Sequence, residues 1–329
     1  MAALTVVRAG MLTTVQDLGR WGYQAEGVPV AGPMDPYSHR YANRLVGNSD
    51  GAAALEVTLI GPELEASAAV VCAVAGARFE LTVNGAPEAM NRAFVVPAGG
   101  RLRFGNRLAG ARAALAVRGG FDFAPVFGSR ATSVISRLGP FGGRPLAAGD
   151  VLPIRGSDLD LSGFGPPSER SRFDPKARAE DSSPDPGRGL RLPEGGARLR
   201  VVMGPHDAMF TTAARESLLS ARFVITPNSN RMGYRLEGPP LSHVSSADIL
   251  SDATPVGSLQ VPASGQPILL MADRQTTGGY PKIATVITAD LPVAGQLAPG
   301  DWITFAAVTR AAALDAFKQQ EARLSGGTR

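Results

Sequence analysis

Val96-Pro97-Ala98-Gly99-Gly100 returns 165 residues later as Val261-Pro262-Ala263-Ser264-Gly265. Four more pairs of similar segments occur in the same order in the two halves of the chain: Gly32-Pro33-Met34-Asp35 with Gly204-Pro205-His206-Asp207, Leu59-Ile60-Gly61-Pro62-Glu63-Leu64 with Leu236-Glu237-Gly238-Pro239-Pro240-Leu241, Gly119-Gly120-Phe121 with Gly278-Gly279-Tyr280, and Leu146-Ala147-Ala148-Gly149-Asp150 with Leu297-Ala298-Pro299-Gly300-Asp301. Because glycine and proline are abundant here, a single pair would carry little weight. Five pairs in the same order indicate an internal duplication.

Each copy is typical of short β-strands separated by turns. Residues 78–83 alternate between polar and apolar and run into Asn84-Gly85, a dipeptide that favours a tight hairpin. Helices are few: Asp35-Pro36 predicts a helix start, with the helix running through Leu45, and further helices are predicted at 211–219 and 307–323. The pattern predicts a mainly β protein, with a pair of β-barrels or sandwiches and a few short helices.

The chain is long enough for two domains, at the usual size of ~100–200 residues per domain. Residues 155–196 are rich in glycine, proline, serine and charge, which indicates a linker or a surface excursion. We therefore expect a first half at 1–154, a linker at 155–196, and a second half at 197–329.

Composition excludes several classes of protein. The single cysteine, Cys72, excludes a disulfide framework and a zinc site built on several thiolates. None of the three lysines follows a glycine, which excludes a phosphate-binding loop of the Walker type, and the scattered arginines argue against a nucleic-acid interface. The three histidines share no metal-ligand spacing, so no metal is expected. No apolar run reaches ~20 residues and no signal peptide is evident, so the expected location is the cytoplasm.

The duplication also points to a site. Aligned on the two glycine pairs, the apolar segment 114–118 of the first copy corresponds to Asp273-Arg274-Gln275-Thr276-Thr277 of the second, Phe123 corresponds to Lys282, and Val95 to Gln260. Buried polar and charged groups cost desolvation unless a ligand or partner compensates. We therefore expect the site in the second half, around 273–282, although an exposed salt-bridged turn would give the same residue types.

A second polar segment, 229–236, places Arg231 and Arg235 on either side of Gly233. A planar guanidinium there could bind a carboxylate, or the segment could be a simple turn.

Several motifs together resemble one known family. The chain is similar to the larger subunit of the biotin-dependent carboxyltransferases, also called allophanate hydrolase subunit 2 or KipA, many of whose bacterial members are the C subunit of the ATP-dependent 5-oxoprolinase. The resemblance runs from about Gly10 to Asp301 and rests on segments 14–20, 42–48, 229–236, 260–262 and 272–282.

The resemblance implies two tandem cyclophilin-like β-barrel halves and a site in the segment that holds Asp273 and Lys282. It implies two partner proteins in the same complex, a KipI-like subunit 1 (the B subunit) and a LamB/YcsF-like protein (the A subunit). ATP would act at the level of the complex. No Met-Lys-Met biotinylation sequence occurs, so any biotin would come on a separate carrier.

We expect these residues to act on a substrate that carries an N–C=O unit. Lys282 or Arg274 would stabilise negative charge on the amide oxygen, and Asp273 would move or orient the amide proton. Substrate binding is assigned to a wider set of residues: Gln260, Gln275, Thr276, Thr277, Gly278, Gly279, Tyr280, Arg231 and Tyr234.

Three functions follow from the resemblance. The first is cleavage of 5-oxo-L-proline to L-glutamate as one component of an ATP-hydrolysing complex. The second is transfer of a carboxyl group from carboxybiotin to urea or a similar amide. The third is a regulatory role, in which a KipA-like protein antagonises a KipI-type inhibitor of a kinase.

Overall fold

A computed structural model of the chain describes residues 2–156 and 190–326. The chain forms two compact units, one from Met1–Gly19 and Pro36–Leu192 and the other from Arg20–Asp35 and Pro193–Arg329. The second unit thus includes Arg20–Asp35, a segment that the expected boundaries place in the first half, 1–154. Most of the expected linker, 155–196, lies outside the described residues, and its boundaries stay a prediction.

The described residues of the first unit form nine strands: β1 (Ala3–Arg8), β2 (Leu12–Gln16), β3 (Ala54–Thr58), β4 (Glu63–Ala66), β5 (Val70–Val83), β6 (Ala86–Glu88), β7 (Ala93–Val96), β8 (Arg101–Val117) and β9 (Val151–Pro153). They form one sheet in the order β2-β3-β8-β4-β1-β9, and β5 pairs with β6, β7 and β8. The helix α1 (Pro36–Leu45) begins and ends where the sequence predicts, and Pro140–Gly143 forms a short helical turn. The predicted hairpin at Asn84-Gly85 joins β5 to β6.

The second unit contains a closed barrel of seven strands in the order β10-β17-β14-β15-β12-β11-β18. Its strands are β10 (Gly196–Met203), β11 (Phe223–Ile225), β12 (Gly233–Glu237), β14 (Ser258–Gln260), β15 (Ile268–Leu270), β17 (Lys282–Val286) and β18 (Trp302–Ala307). Two further strands, β13 (Asp252–Ala253) and β16 (Thr277–Gly278), pair as a small separate sheet.

Among the described residues, the barrel is accompanied by three α-helices, α2 (Thr212–Ser220), α3 (Leu291–Gly295) and α4 (Arg310–Ser325), and by two short 3-10 helices at Asp207–Met209 and Thr288–Asp290. Thr211 and Thr309 cap α2 and α4, because their side chains accept the backbone N–H of Ala214 and Ala312 at the first turn. The predicted mainly β class with few short helices is confirmed. No helix in the described ranges is long and apolar enough to cross a membrane.

The Val-Pro segments that reveal the duplication form turns with matching hydrogen bonds in both units. Gly100 N–H donates to Pro97 O over 2.8 Å, and Gly265 N–H donates to Pro262 O over 2.9 Å. The carbonyl of each of these glycines then accepts a backbone N–H at 2.9 Å, from Ala66 in one unit and Leu241 in the other. The repeated sequence therefore encodes a repeated pattern of hydrogen bonds.

A second repeated turn is built on Gly149-Asp150 and Gly300-Asp301. Both glycines have positive φ, 88° and 93°, which glycine adopts without strain. The Asp150 carboxylate accepts Ala147 N–H at 2.7 Å, and that of Asp301 accepts Ala298 N–H at 2.8 Å. Each aspartate therefore stabilises its turn through its side chain.

The two glycine pairs, in contrast, differ. Gly119 and Gly120 have positive φ of 89° and 75°, whereas Gly278 lies in the extended strand β16. The two glycine pairs, although similar in sequence, therefore have different backbone conformations.

The repeated Gly-Pro dipeptides carry a packing constraint. A Cβ atom at Gly61 would lie 2.3 Å from Cβ of Phe104, and one at Gly238 would lie 2.5 Å from Cδ1 of Phe223. Both phenylalanines are almost fully buried, so neither ring can move aside freely.

We predict that Gly61→Ala lowers the free energy of unfolding by about 1–3 kcal/mol, because the added methyl group overpacks the core beside Phe104. Gly51→Ala is the matched control: its Cβ would meet only the Leu18 side chain, at 3.7 Å, and neither glycine has positive φ. The control should change the same free energy by no more than about 1 kcal/mol. Urea denaturation measures both, and equal effects would contradict the packing argument.

Candidate functional site

Lys282 opens β17 and lies almost fully inside the protein, with 3% of its side chain exposed. Its ammonium donates to Asp252 Oδ2 over 2.6 Å and to the carbonyl of Ala253 over 2.8 Å. An ammonium has three N–H donors, so two are used by residues that the structure describes and one remains. This leaves a buried cation with one hydrogen bond to offer a ligand.

Asp252 reaches Lys282 because β13 and β16 pair. This pairing sets Asp252 opposite Gly278 and Ala253 opposite Thr277. The hydrogen bond from Lys282, assisted by the backbone N–H of Ala253, holds the pKa of Asp252 below its usual value. Asp252 is therefore a carboxylate at neutral pH, and about half of its side chain is exposed.

Two glutamine amides lie beside this pair of charges. Gln260 is opposite Lys282 in the pairing of β14 with β17. Gln275 Nε2 donates to Gln260 Oε1 over 3.0 Å, and Gln260 Nε2 lies 3.5 Å from the carbonyl of Tyr280. A Cβ at Gly278 would lie 2.6 Å from Gln260 Nε2, so a larger residue there would displace the Gln260 amide.

The segment 273–280 is fixed to the barrel through Thr254. Arg274 Nε donates to the carbonyl of Thr254 over 2.6 Å, the Thr254 hydroxyl donates to the carbonyl of Gln275, and Thr254 N–H donates to that of Thr276 over 3.1 Å. Burial lowers the pKa of Arg274. Tyr280 and Thr277, at the outer end of the segment, are exposed.

Asp273, to which the sequence analysis gives a role with the amide proton, is paired with Arg231. Its two carboxylate oxygens accept Nε and Nη2 of Arg231 at 3.0 and 3.1 Å, and both side chains are nearly inaccessible to solvent. Arg231 also donates to the carbonyl of Gly32 over 2.5 Å. Of the two roles considered for Arg231, the guanidinium does bind a carboxylate, but one that belongs to this chain. Lys282 pairs with Asp252 instead.

Tyr234 lies apart from the two amides and the lysine. Its hydroxyl is 3.1 and 3.2 Å from the carbonyls of Ala294 and Leu297, in the buried core beside α3. We interpret both Tyr234 and the Arg231–Asp273 pair as parts of the scaffold. The structure thus brings together Lys282, Gln260, Gln275 and Gly278 among the residues assigned from sequence.

Sequence reasoning missed Asp252 and His206. The backbone N–H of His206 donates to the carbonyl of Lys282, and its Nδ1 accepts the N–H of Lys282, both over 3.3 Å. A signal for His206 was present, because the first copy has Met34 at the corresponding position. Nothing local marks Asp252, since its role depends on the pairing of two distant segments. In the described parts of the chain, no group of three metal-binding side chains occurs.

Comparisons with known proteins agree on one family. A model described as the carboxyltransferase domain, subdomain A and B, matches residues 26–307. The 5-oxoprolinase C subunit of Escherichia coli (strain K12) is 36% identical over 97% of this chain and 95% of that protein. Urea amidolyase of Lachancea kluyveri is 33% identical over 98% of this chain but only 18% of that protein. The solved structure of the K. lactis urea amidolyase superposes with a TM-score of 0.88 at 33% identity, covering 98% of this chain and 20% of that one.

We predict that Asp273→Leu lowers the free energy of unfolding by about 3–5 kcal/mol, because it leaves the buried Arg231 cation without its anion. The double variant Arg231→Met/Asp273→Leu should lose much less than the sum of the two single variants, because it buries no unpaired charge. Urea denaturation of the four proteins measures the coupling.

The exposed pair Asp122–Arg155 supplies the control for this cycle, with side chains 47% and 59% exposed. Asp122→Ala should cost only about 0–1 kcal/mol. Additive effects of the two buried substitutions would contradict the structural role of the pair.

Proposed function

We propose that this chain, which belongs to the carboxyltransferase-domain family of subdomains A and B, is the C subunit of an enzyme complex that opens 5-oxo-L-proline to L-glutamate with hydrolysis of ATP. The family resemblance expected from the motifs is confirmed by the match over residues 26–307. The observation that carries the proposal is the match to the E. coli 5-oxoprolinase protein across 95% of its length, since it leaves no large part of the relative without a counterpart here.

The buried ammonium suits the chemistry of this reaction. Opening the lactam breaks its C–N bond: water supplies a hydroxyl group to the carbonyl carbon and a proton to the nitrogen, which gives a carboxylate and an amine. Negative charge develops on the carbonyl oxygen during the attack. The remaining N–H of Lys282, shielded from water, would donate to that oxygen and stabilise the transition state. Asp252 and the Ala253 carbonyl would hold the ammonium in place.

The two amides suit the recognition of a lactam. Because Gln275 Nε2 donates to Gln260, the orientation of the Gln275 amide is fixed, and its oxygen, which accepts no hydrogen bond from the residues that the structure describes, would accept the lactam N–H. Thr276, Thr277, Gly279 and Tyr280 form the outer part of the same segment and would border the substrate. Asp273 and Arg274 support this segment from within the protein rather than contacting the substrate.

We assign the binding of ATP to other proteins of the complex. The E. coli relative is named as one lettered subunit of 5-oxoprolinase, which indicates a multi-subunit enzyme. No Gly-Lys dipeptide occurs in this sequence, so a phosphate-binding loop of the Walker type is absent and the chain offers no such fit to a triphosphate. We propose that KipI-like and LamB/YcsF-like partners complete the complex and bind ATP, and that the complex works in the cytoplasm.

A second candidate is a carboxyltransferase that moves a carboxyl group from carboxybiotin to urea or a similar amide. The match to urea amidolyase over 98% of this chain favours it. The ureido ring of biotin and urea itself carry the same N–C=O unit, so Lys282, Gln260 and Gln275 fit these groups as well. The biotin would be attached to a separate carrier protein, and bound biotin would supply the carboxyl group.

We predict that Lys282→Ala lowers kcat for ATP-dependent glutamate release by about 10²–10³-fold, the usual loss when one oxyanion donor is removed. The chain would be co-purified with its partner proteins and assayed with 5-oxo-L-proline. Lys318→Ala is the matched control, because Lys318 is an exposed lysine of α4 and its loss should leave kcat unchanged.

Three outcomes would contradict parts of this proposal. No glutamate from the intact wild-type complex would contradict the 5-oxoprolinase assignment, and carboxyl transfer from carboxybiotin to urea would then be assayed. Wild-type rates in the Lys282→Ala complex would contradict the site but not the family assignment. Equal losses in Lys282→Ala and Lys318→Ala would show a general effect on assembly.

A further inference from the structure

His206 is hydrogen-bonded to the backbone of Lys282. Gly204 N–H donates to the carbonyl of Ile283 over 2.8 Å, and a Cβ at Gly204 would lie 2.2 Å from the carbonyl oxygen of Lys282. Only glycine allows so close an approach to β17. Two residues later, His206 both donates to the Lys282 carbonyl and accepts the Lys282 N–H through Nδ1. The imidazole is therefore held against the residue that supplies the site's cation.

The accepting role of Nδ1 fixes the form of the ring. A neutral imidazole has one donor and one acceptor nitrogen, so the proton lies on Nε2. Burial, and after it the positive charge of Lys282, lowers the pKa of His206 from its usual 6.5, while Asp252 opposes the shift. Within the described ranges no residue accepts a hydrogen bond from Nε2, so this N–H is available to a ligand.

We propose that His206 is a second hydrogen-bond donor to the substrate, with its Nε2–H directed to the carbonyl oxygen that Lys282 also contacts. The inference rests on the proposed function, because it supposes an N–C=O substrate beside Lys282. A neutral imidazole can stabilise the developing negative charge by donation without losing its proton, as the ring remains neutral throughout. No proton transfer through His206 is required.

Two substitutions of His206 distinguish hydrogen-bond donation to the substrate from support of the Lys282 backbone. His206→Asn places Oδ1 near the position of Nδ1, so it keeps an acceptor for the Lys282 N–H and removes the Nε2–H. His206→Gln places an amide N–H near the position of Nε2 but loses the Nδ1 acceptor. The donor role predicts that, in the co-purified complex, Asn lowers kcat for glutamate release by about 10²-fold while Gln retains more of it. The urea midpoint of the Asn variant should stay at the wild-type value.

The opposite order, with Asn close to wild type and Gln strongly impaired, would show that His206 serves only to hold Lys282 and would overturn the proposal. Wild-type rates in both variants would overturn it as well. A ¹⁵N NMR spectrum of the full chain tests the tautomer independently of activity: the signals should show a neutral ring with its proton on Nε2 at pH 7. A proton on Nδ1, or an imidazolium, would overturn the donor role even in an active complex, whereas an inactive wild-type complex would contradict the proposed function itself.

Discussion

The buried ammonium of Lys282 is the group on which the rest of the candidate site depends. An isolated ammonium inside a protein loses its hydration, and the cost is several kcal/mol unless charge and hydrogen bonds replace the water. Asp252 and the Ala253 carbonyl supply that replacement. This requirement accounts for the small β13–β16 sheet, which lies outside the barrel and whose pairing brings Asp252 to the lysine.

Two aspartates near the site have opposite environments and therefore opposite roles. Asp273 is enclosed with Arg231, and both of its oxygens are used, so it stabilises the segment that follows it. Asp252 is half exposed and has a carboxylate oxygen on Lys282, so it can adjust to a ligand at the same lysine. Residue type alone cannot distinguish these roles, because both are aspartates beside polar residues in the sequence.

The sequence predicts the features that depend on local or repeated patterns. The mainly β class, α1, and the choice of Gln260, Gln275 and Lys282 all follow from periodicity or from comparing the two copies, and the structure brings those three side chains together. The carboxylate partners were not predictable in this way. Arg231 and Asp273 are 42 positions apart, and Lys282 and Asp252 are 30 apart, so each pair exists only once the barrel has closed.

The duplication also explains how a site could arise without loss of the fold. The turns at Gly100 and Gly265, and those at Asp150 and Asp301, keep the same hydrogen bonds. Each unit therefore keeps the interactions that stabilise its turns. Positions between these turns are free to change as long as new charges are paired. In the second unit such a change produced Lys282, and the backbone hydrogen bonds between Lys282 and His206 hold these two residues together. Under the proposed function, the Lys282 ammonium and the neutral His206 ring would be preorganised for a single oxygen atom, and preorganisation is what makes such groups effective in a transition state.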